Sequence, residues 1–192
     1  CDVAVREAVN WLIDRDQINR EIYGGLGVPK WFPVTAGFPD YAKFVEYIRP
    51  LEAKYAYDFD KAQAAIQASL EASGATMGAD GFYEFNGNVV EIVFLIRTDS
   101  DGTRRPMGDY VSNQLEAVGI KVDRQYKTSS EASPYWIGSD PAEGLWHLYT
   151  GAWIVTAVDR DQGDNFQFYY SPNSVYGSVP LWASYPISEE AD

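Results

Sequence analysis

Apolar positions recur at helical spacing from the start of the chain. Val5, Ala8, Val9 and Leu12 share one face of a helix over residues 3–13. Asp14, just ahead of Arg15-Asp16-Gln17-Ile18, is placed to cap a second helix reaching about Tyr23. Gly24-Gly25 stops it, because glycine accepts the left-handed conformation at a helix end. No period holds across residues 26–57. Pro29, Pro33, Pro39, Pro50 and many aromatics there predict a long ordered excursion, with a short helix at 41–49. A loop of that length serves binding or packing against a neighbour.

Periodicity resumes at Asp58, the predicted cap of a helix that buries Ala62, Ala65, Ile66, Ser69 and Leu70 and ends at Gly74. Alternation and β-branched residues predict strands at 82–85 and 89–97, joined by a turn at Asn86-Gly87. A helix over 104–118 follows, with Met107, Tyr110, Val111, Leu115 and Val118 inward and Gly119 as its stop. A strand at 120–126 comes next. Strand, helix, strand is a βαβ unit, which places 89–97 and 120–126 side by side and parallel, with the helix on one sheet face. A short helix at 130–137 and a strand at 146–153 add a second crossover. Residues 154–192 read as loops, and Ser188-Glu189-Glu190-Ala191-Asp192 as the start of a helix cut short.

Charge narrows the partners. With 28 acidic and 15 basic residues the chain carries a net −13, so it repels phosphate backbones and anionic membrane surfaces. Nucleic acid is therefore not an expected partner. No apolar run reaches the ~18 residues of a membrane-spanning helix, and the opening residues do not read as a signal peptide, so none is expected there. The one cysteine is Cys1, and it raises a lipoprotein reading. The helix beginning at Val3 leaves no flexible tether behind it, which fits a chain cut from a longer protein better.

The reactive side chains do not assemble into a catalyst. His147 is the single histidine and its strand neighbours are apolar, so a structural role is expected and no metal site. Asp99-Ser100-Asp101-Gly102 resembles the start of a calcium loop, but Tyr110 stands where the bidentate acid belongs, and a solvated turn is expected. Gly24-Gly25-Leu26-Gly27 lacks the flanks of a phosphate cradle. A glycoside hydrolase would use two of the many acids, with aromatics lining a cleft; no pair stands at diagnostic spacing. No catalytic residue or cofactor is expected.

Four blocks point to a family. Val5-Arg6-Glu7-Ala8-Val9-Asn10 with Asp14-Arg15, Ile18 and Gly24-Gly25-Leu26-Gly27-Val28-Pro29 resembles the helix pair that opens the second large lobe of the family 5 extracellular solute-binding proteins. Tyr57-Asp58-Phe59-Asp60-Lys61-Ala62 and Gln114-Leu115-Glu116-Ala117-Val118-Gly119-Ile120-Lys121-Val122 resemble the next blocks of that lobe. Trp146-His147-Leu148-Tyr149-Thr150-Gly151-Ala152-Trp153, followed by Asp159 and Asp164-Asn165-Phe166, resembles its strand and ligand loop. The resemblance covers roughly residues 3–170.

It implies an α/β chain, one lobe of a type II periplasmic-binding-protein-like fold, with a mixed sheet, βαβ crossovers and flanking helices. Residues 1–192 would be a single lobe, the C-terminal-side ligand-binding lobe of a larger two-lobe protein, with the first lobe missing. Apolar residues of 26–57 and near the C-terminus should then stand exposed. The implied function is solute capture for the membrane permease of an ABC importer, outside the cytoplasm in the periplasm or at the cell surface, with a lipid anchor in the full-length protein. In peptide-binding members an aspartate at the position of Asp159 meets the ligand's α-ammonium; the plainer reading makes it one of several solvated acids with Asp161 and Asp164. A basic residue precedes that aspartate in some members, whereas here Trp153 and apolar residues do and Arg160 follows. An oligosaccharide therefore stands beside an oligopeptide as the ligand. Trp153, Tyr149 and Trp136 would stack on a sugar face, with at least one of them expected in core packing instead.

Overall fold

A computed structural model describes residues 2–32, 34–140 and 143–152. The first helix, α1 (Val3–Leu12), starts at Asp2, whose side chain accepts from Ala4 N at 3.0 Å. It buries Val5, Ala8, Trp11 and Leu12. The second, α2 (Arg15–Glu21), is capped by Asp14, which accepts from Gln17 N at 2.9 Å. Gly24 and Gly25 follow at φ 62° and 76°, the left-handed stop that the sequence requires.

The excursion is more helical than its sequence predicts. In place of one helix at 41–49, the chain forms α3 (Pro39–Lys43) and α4 (Val45–Lys54). Pro39 at the first turn presets helical φ, so α3 starts early. Pro50 lies inside α4, where its missing N–H removes one bond without stopping the helix. The Tyr41 hydroxyl on Glu52, at 3.0 and 3.1 Å to the two carboxylate oxygens, ties the pair together. Only Ile48 of these helices is buried. Leu26 is 91% exposed, Tyr47 74% and Val28 67%, the exposure expected of this stretch.

Helix α5 (Phe59–Ala72) is capped by Asp58, which accepts from Lys61 N at 3.0 Å. It packs on α1, and Trp11 anchors the seam. The Trp11 indole donates to Lys54 O at 2.7 Å, its ring stacks on Tyr55 at 5.8 Å, and its carbonyl accepts from Asp58 N at 2.9 Å.

The strands divide into an antiparallel ribbon and a parallel sheet. The ribbon has the order β1 (Thr76–Met77), β2 (Tyr83–Phe85), β3 (Asn88–Val89), and β1 is an element the sequence pattern does not reveal. Asn86 and Gly87, at φ 51° and 78°, make its hairpin turn. The single strand predicted at 89–97 is split at Val90. Val90 N donates to Tyr83 O of the ribbon at 2.7 Å, and Val90 O accepts from Lys121 N of the parallel sheet at 3.1 Å. One residue thus hands the chain from the ribbon to β4 (Glu91–Arg97).

Strand β4 pairs in parallel with β5 (Lys121–Lys127) over its whole length, from Glu91 opposite Lys121 to Arg97 opposite Lys127. The crossover is α6 (Arg104–Ala117), packed on both strands as the βαβ reading expects. Helix and strand meet closely because position 108 is glycine: a Cβ there would lie 2.7 Å from Ile96 Cγ2. Helix α7 (Ser129–Trp136) then leads to β6 (Leu148–Tyr149), which pairs in parallel with the free side of β4. The sheet order is β5-β4-β6. The strand predicted at 146–153 is therefore reduced to two paired residues, with Trp153 outside the described residues. One core joins α1, α5, α6 and the sheet; Leu12, Ile66, Ile96, Leu115 and Ile120 are its most buried large side chains. Each of these contributes roughly 1.5–3 kcal/mol by leaving water.

Candidate functional site

In an open α/β sheet the strands' carboxyl ends are where loops and unpaired backbone groups converge. Here that edge is built by the residues leaving β4, β5 and β6. Thr98 N donates to Lys127 O at 3.0 Å, closing β4 onto β5. Asp99 accepts from Ser129 N and from Arg97 Nε, each at 3.0 Å. Those bonds, Ser129's first and Arg97's second, hold its carboxyl below the usual range. Asp99 lies exposed in the solvated turn that the sequence predicts, and its two bonds also tie β4 to α7. Asp101 serves the same turn locally, accepting from Thr103 N at 3.1 Å and from its hydroxyl at 2.6 Å.

Strand β6 is short because side chains replace its ladder at both ends. Val93 N donates to His147 Nδ1 at 2.9 Å, and Arg97 N donates to Thr150 Oγ1 at 2.8 Å. Between them, His147 N and Thr150 N return bonds to Val93 O and Leu95 O at 2.9 and 3.1 Å. Beyond Thr150, the Arg104 guanidinium reaches Thr150 O at 2.9 Å and Gly151 O as well. This pins the point from which the chain leaves the sheet.

His147 is the structural residue that its apolar strand neighbours predict. Accepting at Nδ1 requires that nitrogen to be unprotonated, and desolvation pushes its pKa down in the same direction. Among the described residues no three His, Cys, Asp or Glu side chains come together to hold a metal ion.

Two of the four candidate ligand residues are brought together. Tyr149 and Trp136 stack with centroids 5.3 Å apart and planes 21° from parallel. Arg97 is held above the ordinary arginine value mainly by Asp99, and Tyr149 acts in the same direction. The Trp136 indole N–H is buried and has no partner among the described residues. Each ring thus gives one face to the other, which is packing before it is a platform. Asp159 and Trp153 lie outside the described residues.

Successive residues of β6 face opposite ways. Leu148 packs on the central core and Tyr149 stacks on α7. A cleft of about 530 Å³ opens between α1, α2, α6, the loop through Val28 and residues 148–151 at the end of β6. Its walls include Val9, Ile13, Met107 and Leu148, with Arg15 and Lys30 as its charged members. Arg15, Arg104 and Thr150 are residues that sequence reasoning did not single out for the site. Arg15 stands in the Asp14-Arg15 pair at a helix start, a visible signal; Thr150 and Arg104 carry none until the sheet is assembled.

The sequence model described as bacterial extracellular solute-binding proteins, family 5 Middle, matches residues 1–176. No curated protein matches the chain. Solved structures share its fold. NikA from Brucella suis, in complex with Fe(III)-EDTA, is 21% identical with a TM-score of 0.61 over 91% of this chain and 31% of its own. The oligopeptide binding protein from Thermus thermophilus, complexed with pentapeptide, is 24% identical with a TM-score of 0.54 over 76% of this chain and 23% of its own. The periplasmic binding protein MelB from Agrobacterium fabrum, in complex with stachyose, is 22% identical with a TM-score of 0.52 over 70% of this chain and 20% of its own. The chain spans between a fifth and a third of the length of these structures. At such identities the likeness speaks for the fold.

Proposed function

The chain belongs to the bacterial extracellular solute-binding proteins, family 5, and from that premise we propose that it is one lobe of a two-lobe protein that captures an oligopeptide for an ABC importer. The observation that carries the reading is the pinned end of β6. Thr150 and Arg104 fix where the chain leaves the carboxyl edge of a parallel sheet, and Asp159 follows a short way on. Asp159 receives the peptide's α-ammonium in a charge-assisted contact that is indifferent to the peptide's side chains. A second lobe closing over that edge excludes water and strengthens the contact. Closure presents both lobes to the permease in a geometry that only the liganded protein adopts.

Trp153, Tyr149 and Trp136 border the same site. The mutual stack of Tyr149 and Trp136 uses ring faces that a sugar would need, which favours a peptide over an oligosaccharide. The protein works outside the cytoplasm, in the periplasm or tethered by lipid at the cell surface. No described helix is long and apolar enough to cross a membrane. The protein binds without turnover, and the family match gives a glycoside hydrolase no support.

A thermal-shift screen of the full-length protein against peptides, neutral oligosaccharides and metal ions tests this. A ligand at 100 times its dissociation constant adds about 2.7 kcal/mol of apparent stability. The Asp159→Asn variant should then lose about 2–5 kcal/mol of peptide affinity by calorimetry while a neutral sugar is unaffected. Unchanged peptide affinity removes Asp159 from the site, and hydrolysis of a chromogenic glycoside overturns the binding-protein reading.

A further inference from the structure

The hairpin turn of the ribbon holds the one Asn-Gly pair of the chain, Asn86-Gly87. Both residues are exposed, and nothing lies within 4 Å of the point where a Cβ at position 87 would stand. In a four-residue turn the closing bond runs from the fourth N–H to the first carbonyl, so the N–H of Gly87, third in Phe85-Asn86-Gly87-Asn88, is left free. The Asn86 carbonyl accepts from Asn88 Nδ2 at 3.3 Å, but no described hydrogen bond holds the Asn86 side-chain amide. A neutral amide carbon thus stands, unheld, one residue ahead of a free and unshielded backbone nitrogen.

The two Asp-Gly pairs of the chain are held where Asn86 is not. Asp80 accepts from Phe82 N at 3.2 Å, and Asp101 accepts from Thr103 N at 3.1 Å and from its hydroxyl at 2.6 Å. A carboxylate bonded in this way stays ionised and resists attack by a nucleophile. What closes the Asn86 turn is slight by comparison. Strands β2 and β3 pair only at Glu84 with Val89 and at Phe85 with Asn88, and Phe85 is 44% exposed. So short and exposed a closure opens at little free-energy cost. Opening also releases Asn86 from φ 51°, a conformation uncommon outside glycine.

We infer that Asn86 is a self-modification site, converted to an isoaspartyl link by the backbone nitrogen of Gly87 with water as the only co-reactant. Gly87 N attacks Asn86 Cγ. The new N–C bond closes a succinimide ring, the Cγ–Nδ2 bond breaks, and ammonia leaves with the amide proton. Water then opens the ring. Cleavage at the Asn86 main-chain carbonyl gives the isoaspartyl link, and cleavage at Cγ gives aspartate; nothing is oxidised or reduced. The isoaspartyl link puts one more methylene into the backbone of a two-residue loop, which can then no longer close on the same two pairs. Strand β3 is released, and with it the bond from Val90 N to Tyr83 O. The site is independent of the solute reading, because the turn precedes the amino end of β4 whereas the solute edge follows its carboxyl end.

The test incubates the full-length folded protein in warm, mildly alkaline buffer and follows the tryptic peptide 62–97 by mass spectrometry. That peptide should gain the mass difference between a hydroxyl and an amino group, and should accept a methyl group from an isoaspartyl methyltransferase. Its conversion in the folded protein should run within about tenfold of the rate for the same peptide free in solution, since the turn opens so readily. Asn86→Gly keeps a residue that accepts positive φ, so the variant folds, and its peptide should stay unchanged. Amide exchange at Val90 should quicken in the incubated native protein and not in incubated Asn86→Gly. A folded rate more than tenfold below that of the free peptide overturns the site. Conversion to aspartate without methyl acceptance overturns the succinimide route, and methyl acceptance that survives in Asn86→Gly moves the modification to another residue. Conversion that leaves Val90 exchange unaltered overturns the release of β3.

Discussion

Replacing Thr150 with valine removes one hydrogen-bond acceptor and little else. Both side chains are β-branched and nearly equal in volume, and Thr150 is 3% exposed, so no water can take the place of its hydroxyl without opening the sheet. In the native protein Thr150 Oγ1 accepts from Arg97 N at 2.8 Å. Valine leaves that N–H unpaired at the last position of β4. An unpaired buried donor costs about 1–3 kcal/mol, offset in part because valine buries a methyl where threonine buries a hydroxyl. The bond is only partly buried, so the net loss should be about 1–2 kcal/mol, or a fall of about 2–8 °C in Tm for a unit of this size. Urea unfolding followed by tryptophan fluorescence reads the loss as a lower midpoint with an unchanged slope. Amide exchange at Arg97 reads it locally, since that N–H loses its acceptor. Thr150→Ser keeps the oxygen and should keep the Arg97 protection. An unshifted midpoint for Thr150→Val with Arg97 still protected, or an Arg97 amide exposed equally by serine and valine, would refute the argument that this hydroxyl ends the β6 ladder.

Gly108→Ala should destabilise despite alanine's helix preference. The new Cβ falls 2.7 and 2.8 Å from Cγ2 and Cγ1 of the fully buried Ile96, a stiff β-branched side chain, and overpacking of about 1–3 kcal/mol exceeds a helix gain of about 1 kcal/mol. A double-mutant cycle with Ile96→Ala in urea should show favourable coupling; strict additivity would place the contact elsewhere. His147 should make stability fall on acidification. Its folded pKa lies below the unfolded value of about 6.5, so its contribution is complete above that pH and is lost as pH falls through the folded value. The Val93 amide shift should titrate in the same range and stop doing so in His147→Gln; a Val93 amide insensitive to pH would refute the bond. Asp58→Ala should cost about 1 kcal/mol by removing the acceptor of Lys61 N, and Asp58→Asn should restore most of it. A larger loss for asparagine than for alanine in thermal unfolding would contradict the capping role.

What the sequence determined by itself is local. Asp14 and Asp58 cap helices because a carboxylate can reach an N–H three residues on, whatever the rest of the chain does. Gly24, Gly25, Gly74 and Gly119 stop helices because their positive φ costs other residues more. The βαβ unit from β4 to β5 was legible for a similar reason: apolar period and turn residues agree over one short stretch. Where the order of elements carried enough of the pattern, it also pointed to the family that the match over residues 1–176 establishes.

The tertiary structure decided everything that depends on a distant partner. Val90 divides one apolar run between ribbon and sheet, because Tyr83 and Lys121 bond its N–H and its carbonyl from separate elements. Pro50 would end a helix by local rules, yet α4 continues past it. The solute edge shows the same limit. Thr150, Arg104 and His147 are ordinary residues in sequence, and they become the clasp of β6 only when Arg97 and Val93 come opposite them. The aromatic pair Trp136 and Tyr149 was visible as composition, but whether its rings face a ligand or each other is a question of packing, and they stack. Local propensity acts through a few neighbouring dihedrals and can be read along the chain. Pairing across the sheet joins residues some fifty positions apart, and only the assembled core brings them within hydrogen-bond reach.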